Sequence, residues 1–119
     1  MIRFLLVTLS ILTALTLAPV PALAAGKKVS VAIENLKYRP ETVTIDVGDT
    51  VTWTNNDDRE HSVKAEDGSF DSGALRTGKS YSKTFDKPGQ YAYGSDPSPR
   101  TKGVVVVREK KLIGVPRDD

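Results

Sequence analysis

The sequence has no cysteine, and its 119 residues include only one methionine, one tryptophan and one histidine. Without cysteine the chain can form no disulfide, and it lacks the residue that lipoprotein processing modifies. The lone methionine is Met1, and the lone histidine is His61. The sequence therefore excludes thiolate chemistry, and His61 is the only imidazole available for acid–base chemistry or metal binding.

A strong excess of one charge is also missing. The chain has 17 Lys and Arg residues against 15 Asp and Glu residues, a formal net charge of +2. This balance gives no basis for binding nucleic acid or an anionic membrane surface. We therefore expect no nucleic-acid partner.

The beginning of the chain has the pattern of a secretory signal peptide, which we assign to residues 1–24. Arg3 gives a positive start, residues 4–17 are apolar with some Ser and Thr, and Ala22 and Ala24 are the small residues that a signal peptidase requires. The apolar run is shorter than the ~20 residues of a membrane-spanning helix. We expect cleavage after Ala24, no membrane anchor afterwards, and export to a periplasm or the medium.

Alternation of apolar and polar residues dominates the remaining chain and predicts β-strands. Clear examples are residues 29–33, 43–47 and 51–54, with turn-forming residues between them. The run 104–107 predicts a strand buried on both faces. No segment has a helical apolar stripe. The pattern predicts an all-β sandwich or barrel as a single domain.

We place this domain at residues 25–107, followed by a charged C-terminal tail at 108–119. The tail either is loose or adds an edge strand.

Within the domain, Lys83 lies in the inward phase of its strand between Tyr81 and Phe85, which suggests that this end of the strand reaches solvent.

Several motifs together resemble the cupredoxins, in particular amicyanin and plastocyanin-like proteins. The motifs are residues 48–55, 61–63, 70–73, 81–85 and 88–93, in that order, and the likeness extends over residues 29–107. The resemblance implies a Greek-key β-sandwich with copper at one end. In the family, copper is bound by a histidine after the Trp-bearing strand and by Cys, His and Met before the last strand.

The resemblance places His61 at the first ligand position, and Ser95, Ser98 and Thr101 at the positions of Cys, His and Met. The loop length and both loop prolines are retained. A serine hydroxyl is a hard donor that stays protonated near neutral pH, whereas type 1 copper needs a soft thiolate. The resemblance therefore implies the family fold with vacated ligand positions and without type 1 copper.

His61 has three possible roles on this basis. It is a leftover imidazole, hydrogen-bonded within the loops and removable at little cost; a weak Cu(II) ligand assisted by Asp96 or Glu60; or a base that activates Ser95 in a hydrolase. For the third role the sequence offers neither an orienting acid nor an oxyanion hole.

The leading functional hypothesis is a non-enzymatic, non-redox accessory or binding module with an unidentified protein partner and no cofactor. Copper handling through His61 is the alternative, and a hydrolase built on Ser95 and His61 is the third. In the family, redox partners dock on an apolar patch around the copper site. Here Ser98 and Arg100 make that end polar and basic, which suggests either an ordinary solvated loop or a docking surface of altered specificity.

Overall fold

The computed structural model of the protein describes residues 26–109, which form eight β-strands. The strands are β1 (Lys28–Glu34), β2 (Lys37–Arg39), β3 (Thr42–Asp46), β4 (Thr50–Asn55), β5 (Lys64–Ala65), β6 (Ser80–Thr84), β7 (Gly89–Ser95) and β8 (Ser98–Arg108). The predicted signal peptide and residues 110–119 of the predicted tail lie outside this range. In the part of the chain that the structure describes, no helix could cross a membrane.

The strands form two four-stranded sheets packed face to face. The first sheet has the order β2-β1-β4-β6, and the second has the order β3-β8-β7-β5. The pairs β1–β4 and β3–β8 are parallel, and the other pairs are antiparallel. This arrangement confirms the predicted all-β Greek-key sandwich.

The core is built from the inward-facing residues of both sheets, with Trp53 at its centre. Val51 and Trp53 are both fully buried, which confirms the inward phase predicted for β4. The Trp53 ring packs against Tyr93 at a centroid distance of 5.4 Å and against Tyr81 at 5.8 Å. Such aromatic pairs add about 0.5–1.5 kcal/mol each beyond their buried area. The aromatic cluster therefore joins the two sheets.

Strand β8 differs from its prediction. Val105 and Val107 are buried, whereas Val104 and Val106 are only half-buried, so the expectation of burial on both faces is wrong. The outer face of the second sheet is partly solvated, and the four valines alternate between the core and that face. The strand also reaches Arg108, one residue into the predicted tail.

Strand β7, which ends at Ser95, is positioned by a close pair between Tyr93 and Gly103 of β8. A Cβ atom at Gly103 would lie 2.5 Å from the Tyr93 Cζ and Oη atoms, so the tyrosine ring occupies the space above the glycine. Burial raises the pKa of Tyr93 to about 12. This contact fixes β7 against β8 just before the chain enters the predicted ligand loop.

Candidate functional site

His61 lies in the connection between β4 and β5, and its backbone is held by Leu75. The His61 N–H donates to the Leu75 carbonyl at 3.0 Å, and the Leu75 N–H donates to the His61 carbonyl at 2.7 Å. The side chain points into the end of the sandwich, where it is 0% exposed. The imidazole is therefore an interior group, although the loop that carries it lies at the surface.

Both nitrogens of the His61 ring have protein oxygen partners. Nδ1 lies 2.9 Å from Ser95 Oγ, and Nε2 lies 2.8 Å from Asp57 Oδ2. The Ser62 N–H donates to Ser95 Oγ at 3.1 Å, which leaves the serine proton for Nδ1. Nε2 then carries the ring proton and donates a hydrogen bond to the Asp57 carboxylate. The tautomer with its proton on Nε2 thus gives each of these polar atoms a partner.

Asp57 is held by two consecutive backbone N–H groups of the β1–β2 turn. Asn35 N and Leu36 N donate to its two carboxylate oxygens at 2.6 Å and 2.9 Å. Both turn residues have positive φ angles, 51° and 62°, and successive N–H groups in such turns converge on anions. The turn thereby places a carboxylate against the ring of His61.

These contacts set the protonation of Asp57, whose side chain is 12% exposed. Desolvation on burial raises its pKa, but the hydrogen bonds from Leu36 N, His61 and Asn35 N outweigh that effect. The pKa therefore lies below its ordinary value of 3.8. The carboxylate remains ionised at neutral pH and accepts hydrogen bonds from three donors.

The lowered pKa of Asp57 predicts a loss of stability in acid. The folded state binds this proton less readily than the unfolded chain, so the stabilisation is complete above the ordinary value of 3.8 and is lost as pH falls through the lower folded value. We expect Asp57→Asn to flatten the acid limb of the unfolding free energy between about pH 5 and pH 2, measured by urea denaturation. The control is Asp58→Asn, because the Asp58 side chain is 97% exposed. Equal acid limbs in the parent and Asp57→Asn would contradict the prediction.

The other two vacated ligand positions form a separate pair. Ser98 Oγ lies 2.7 Å from Thr101 Oγ1, and the Thr101 hydroxyl donates to the Leu36 carbonyl at 2.7 Å. Thr101 is buried and Ser98 is half-buried. Residues at the four family ligand positions are therefore joined as His61–Ser95 and as Ser98–Thr101, and the second pair makes no hydrogen bond to the His61 ring.

The carboxylates expected to assist His61 are not the ones that reach it. Asp96 has a 65% exposed side chain and pairs with Lys64 Nζ at 3.7 Å, and Glu60 is exposed. The expectation for Asp96 and Glu60 is therefore corrected: Asp57 meets the ring. Sequence reasoning missed Asp57, although its position four residues before His61 was a usable clue.

The order Asp57–His61–Ser95 also corrects the statement that an orienting acid is absent. Ser95 is 4% exposed and its neighbour His61 is wholly buried, and Ser95 also lines a surface cleft with Lys64 and Asp96. The three residues have the donors and acceptors of a nucleophilic triad, but they are arranged as an interior hydrogen-bond cluster.

The donor set does not fit type 1 copper. The sequence has no thiolate, and its only thioether belongs to Met1, in the predicted signal peptide. Among residues 26–109, no group of three or more His, Cys, Asp or Glu side chains could hold a metal ion. The single imidazole already uses both nitrogens for hydrogen bonds to protein oxygens.

Comparison with known proteins agrees with this fold. Residues 5–107 match the family model of the cupredoxin-like domain. Amicyanin-alpha of Methylorubrum extorquens is 35% identical over 89 residues, covering 71% of this chain and 75% of the relative. Amicyanin of Paracoccus versutus is 37% identical over 95 residues, covering 76% and 69%.

The sandwich also superposes on solved structures of the same architecture. A purple cupredoxin from Nitrosopumilus maritimus gives a TM-score of 0.63 at 31% identity, covering 67% of this chain and 99% of that protein. The family model and the relatives cover most of the domain described above. This chain therefore belongs to the cupredoxin family.

Proposed function

We propose that this protein is an exported, non-redox binding or accessory module that uses the cupredoxin sandwich without a metal cofactor. The observation that carries the proposal is the hydrogen bonding of His61 at both ring nitrogens inside the fold. A ring in this state offers no free lone pair to a metal ion. The hydrogen bond between His61 and Ser95 joins two of the four positions that carry copper ligands in the family.

Electron transfer needs a centre whose redox potential the protein can tune. In blue-copper sites the thiolate and the axial ligand set that potential. Here hydroxyl groups stand at those positions, and Ser95, Ser98 and Thr101 each have a protein hydrogen-bond partner. We propose a role in binding instead, with a protein as partner, since members of the cupredoxin family dock with protein partners.

Copper handling would require the cluster to open. A Cu(II) ion at Nδ1 would displace the Ser95 hydroxyl, and one at Nε2 would displace Asp57 from a fully buried ring. Breaking a buried charge-assisted hydrogen bond costs about 1.5–3 kcal/mol before any metal bond forms. This cost favours the metal-free proposal over weak Cu(II) binding at His61.

The proposal is tested on protein recovered from the exported fraction. We expect no stoichiometric copper by elemental analysis, and no Cu(II) affinity that differs between the parent and His61→Ala. Calorimetric titration with Cu(II) and electron paramagnetic resonance measure both quantities. Stoichiometric copper that disappears in His61→Ala would overturn the proposal and establish copper handling. A chain that starts at Ala25 by mass spectrometry would support export with signal cleavage.

Restoring the Cys, His and Met ligands should create a type 1 copper site. Because Nδ1 of His61 already faces residue 95, the triple change Ser95→Cys, Ser98→His and Thr101→Met should give an intense visible band on addition of Cu(II). The parent should show no such band. The control is Ser95→Cys alone, which lacks the second imidazole and should not produce the blue site. A folded triple variant that binds Cu(II) without the band would contradict the assignment of ligand positions.

A further inference from the structure

Strand β6 is an edge of the first sheet, with β4 as its single neighbour in the described part of the chain. Asn55 N donates to Lys79 O and Phe85 N donates to Asp49 O, both at 3.0 Å. Since the hydrogen-bonded pairs of an antiparallel ladder alternate, the odd-numbered residues of β6 bond to β4. The backbone N–H and C=O groups of Ser80, Ser82 and Thr84 therefore point away from β4, along the open edge.

The side chains of β6 support this assignment. Hydroxyl pairs join the two strands on the outer face at 2.7–2.8 Å, as expected for non-hydrogen-bonded positions where side chains approach most closely. The pairs are Thr50–Thr84, Thr52–Ser82 and Thr54–Ser80. The even-numbered side chains thus face solvent, and Tyr81, Lys83 and Phe85 face the core side.

A cleft of about 240 Å³ lies beside this edge on the core side. Its aromatic lining is formed by Phe70, Phe85 and Tyr91, and the Phe85 ring lies 5.5 Å from Phe70 and 5.2 Å from Tyr91. Lys83 and Lys87 also line the cleft. An apolar side chain of modest size would fit against the rings, and a charged group would meet the lysines.

The two lysines give the cleft a positive character. Lys83 is half-buried opposite Val51, in a strand position that usually carries an apolar residue. Between residues 26 and 109, neither Lys83 nor Lys87 forms an ion pair. Asp86 is the one carboxylate in the lining, against two ammonium groups. Two ammonium groups beside one carboxylate leave the cleft with a net positive charge, which favours a carboxylate partner.

We propose that an extended acidic segment of a partner protein adds to β6 as a fifth strand of the first sheet. Its backbone pairs with Ser80, Ser82 and Thr84, and those of its core-side side chains that lie near Lys83 enter the cleft. There an apolar side chain packs on the aromatic rings and a carboxylate binds Lys83 and Lys87. The proposal rests on the proposed function only in taking a protein as the partner.

Charge argues against two other occupants. Pairing of β6 with β6 of a second copy would bring the same unpaired lysines of both molecules together. The C-terminal residues 110–119 carry Lys110, Lys111 and Arg117 against Asp118 and Asp119, so they are not an acidic segment. An acidic strand from another protein is the complementary partner.

The test uses two capped heptapeptides and isotope-labelled exported protein. In Thr-Glu-Ser-Phe-Ser-Glu-Thr, the Glu and Phe side chains share one face of a strand, and the second peptide has Gln in place of both Glu residues. We expect the acidic peptide to shift the backbone amide signals of Ser80, Ser82 and Thr84. Binding should weaken about tenfold with the Gln peptide and in Lys83→Gln, which equals ~1.4 kcal/mol. The control Lys37→Gln, on the opposite edge strand β2, should bind like the parent.

A second pair of variants tests the backbone contacts. Ser82→Pro removes an outward N–H without removing a donor to β4, whereas Ser82→Ala loses the same hydroxyl pair and keeps the N–H. Ser82→Pro should lose binding, and Ser82→Ala should retain it. Circular dichroism of both variants checks that the sandwich is intact.

Four results would overturn the proposal. The first is that the backbone amide signals of β6 do not shift at up to several millimolar peptide, and the second is that the two peptides bind equally well. The third is that the protein forms a dimer that Ser82→Pro abolishes. The fourth is that the peptide binds only after residues 110–119 are deleted. The third would make a second copy the occupant, and the fourth would make it the chain's own tail. None of these results involves copper. The copper titration can therefore overturn the metal-free function while strand addition to β6 is still observed, and the peptide experiment can overturn strand addition without affecting the metal-free function.

Discussion

Replacement of Trp53 by alanine is expected to lower the free energy of unfolding by about 3–5 kcal/mol, the range for truncating a large core side chain. The indole is fully buried and packs against four aromatic rings from both sheets. Its Nε1 has no hydrogen-bond partner within residues 26–109, so the loss comes from packing alone.

The measurement needs far-ultraviolet circular dichroism in a denaturant titration, because Trp53 is the only tryptophan and its fluorescence is lost with it. Leu36→Ala is the matched control. Leu36 is 40% exposed, and its truncation should change stability by about 0.5 kcal/mol or less. A similarly small change for Trp53→Ala would contradict the inward phase of β4.

Replacement of His61 by alanine is expected to cost about 3 kcal/mol or more, since it removes a wholly buried ring together with its hydrogen bonds to Asp57 and Ser95. Asp57 would lose its imidazole donor, Ser95 would lose an acceptor, and a cavity would remain at a wholly buried position. The sequence alone predicted a small cost, and the structure replaces that prediction with a large one.

Urea denaturation near neutral pH compares His61→Ala with Glu60→Ala. Glu60 is the exposed neighbour of His61, so its truncation should leave stability within about 0.5 kcal/mol of the parent. Asp57→Ala should fall close to His61→Ala, and the double variant should be less destabilised than the sum of the single variants, because the two residues share one interaction. Additive effects would contradict the coupling of Asp57 to His61.

The sandwich could be predicted because the alternation of apolar and polar residues within each strand is visible in a short stretch of sequence. Alternation at Val29, Val31 and Ile33, and again at Val51 and Trp53, identifies the inward face without reference to the rest of the chain. The same local information failed at residues 104–107, where four consecutive valines carry no alternation. Only the neighbouring strands decide which of them meets solvent.

The interior of the site could not be predicted in the same way. The Asp57 carboxylate is held by backbone N–H groups of Asn35 and Leu36, more than 20 residues away in the sequence. These two residues lie in a turn with positive φ angles, which no sequence pattern predicted. Thr101 is fixed by the Leu36 carbonyl across 65 residues. The side-chain types alone indicated that the Cys, His and Met ligands of copper are missing. Which hydrogen-bond partners the side chains present at the site have instead depends on the folded chain.

The hydrogen bonds at both nitrogens of His61 bear on how such proteins are inherited. Loss of a histidine that holds a turn and a strand end together would lower the amount of folded protein, and this effect does not depend on any metal. Among descendants of a cysteine-free ancestor of this kind, we expect histidine at this position to covary with an aspartate four residues earlier. The lone family histidine is then a poor marker of copper in a genome, because this position has a structural role without a metal.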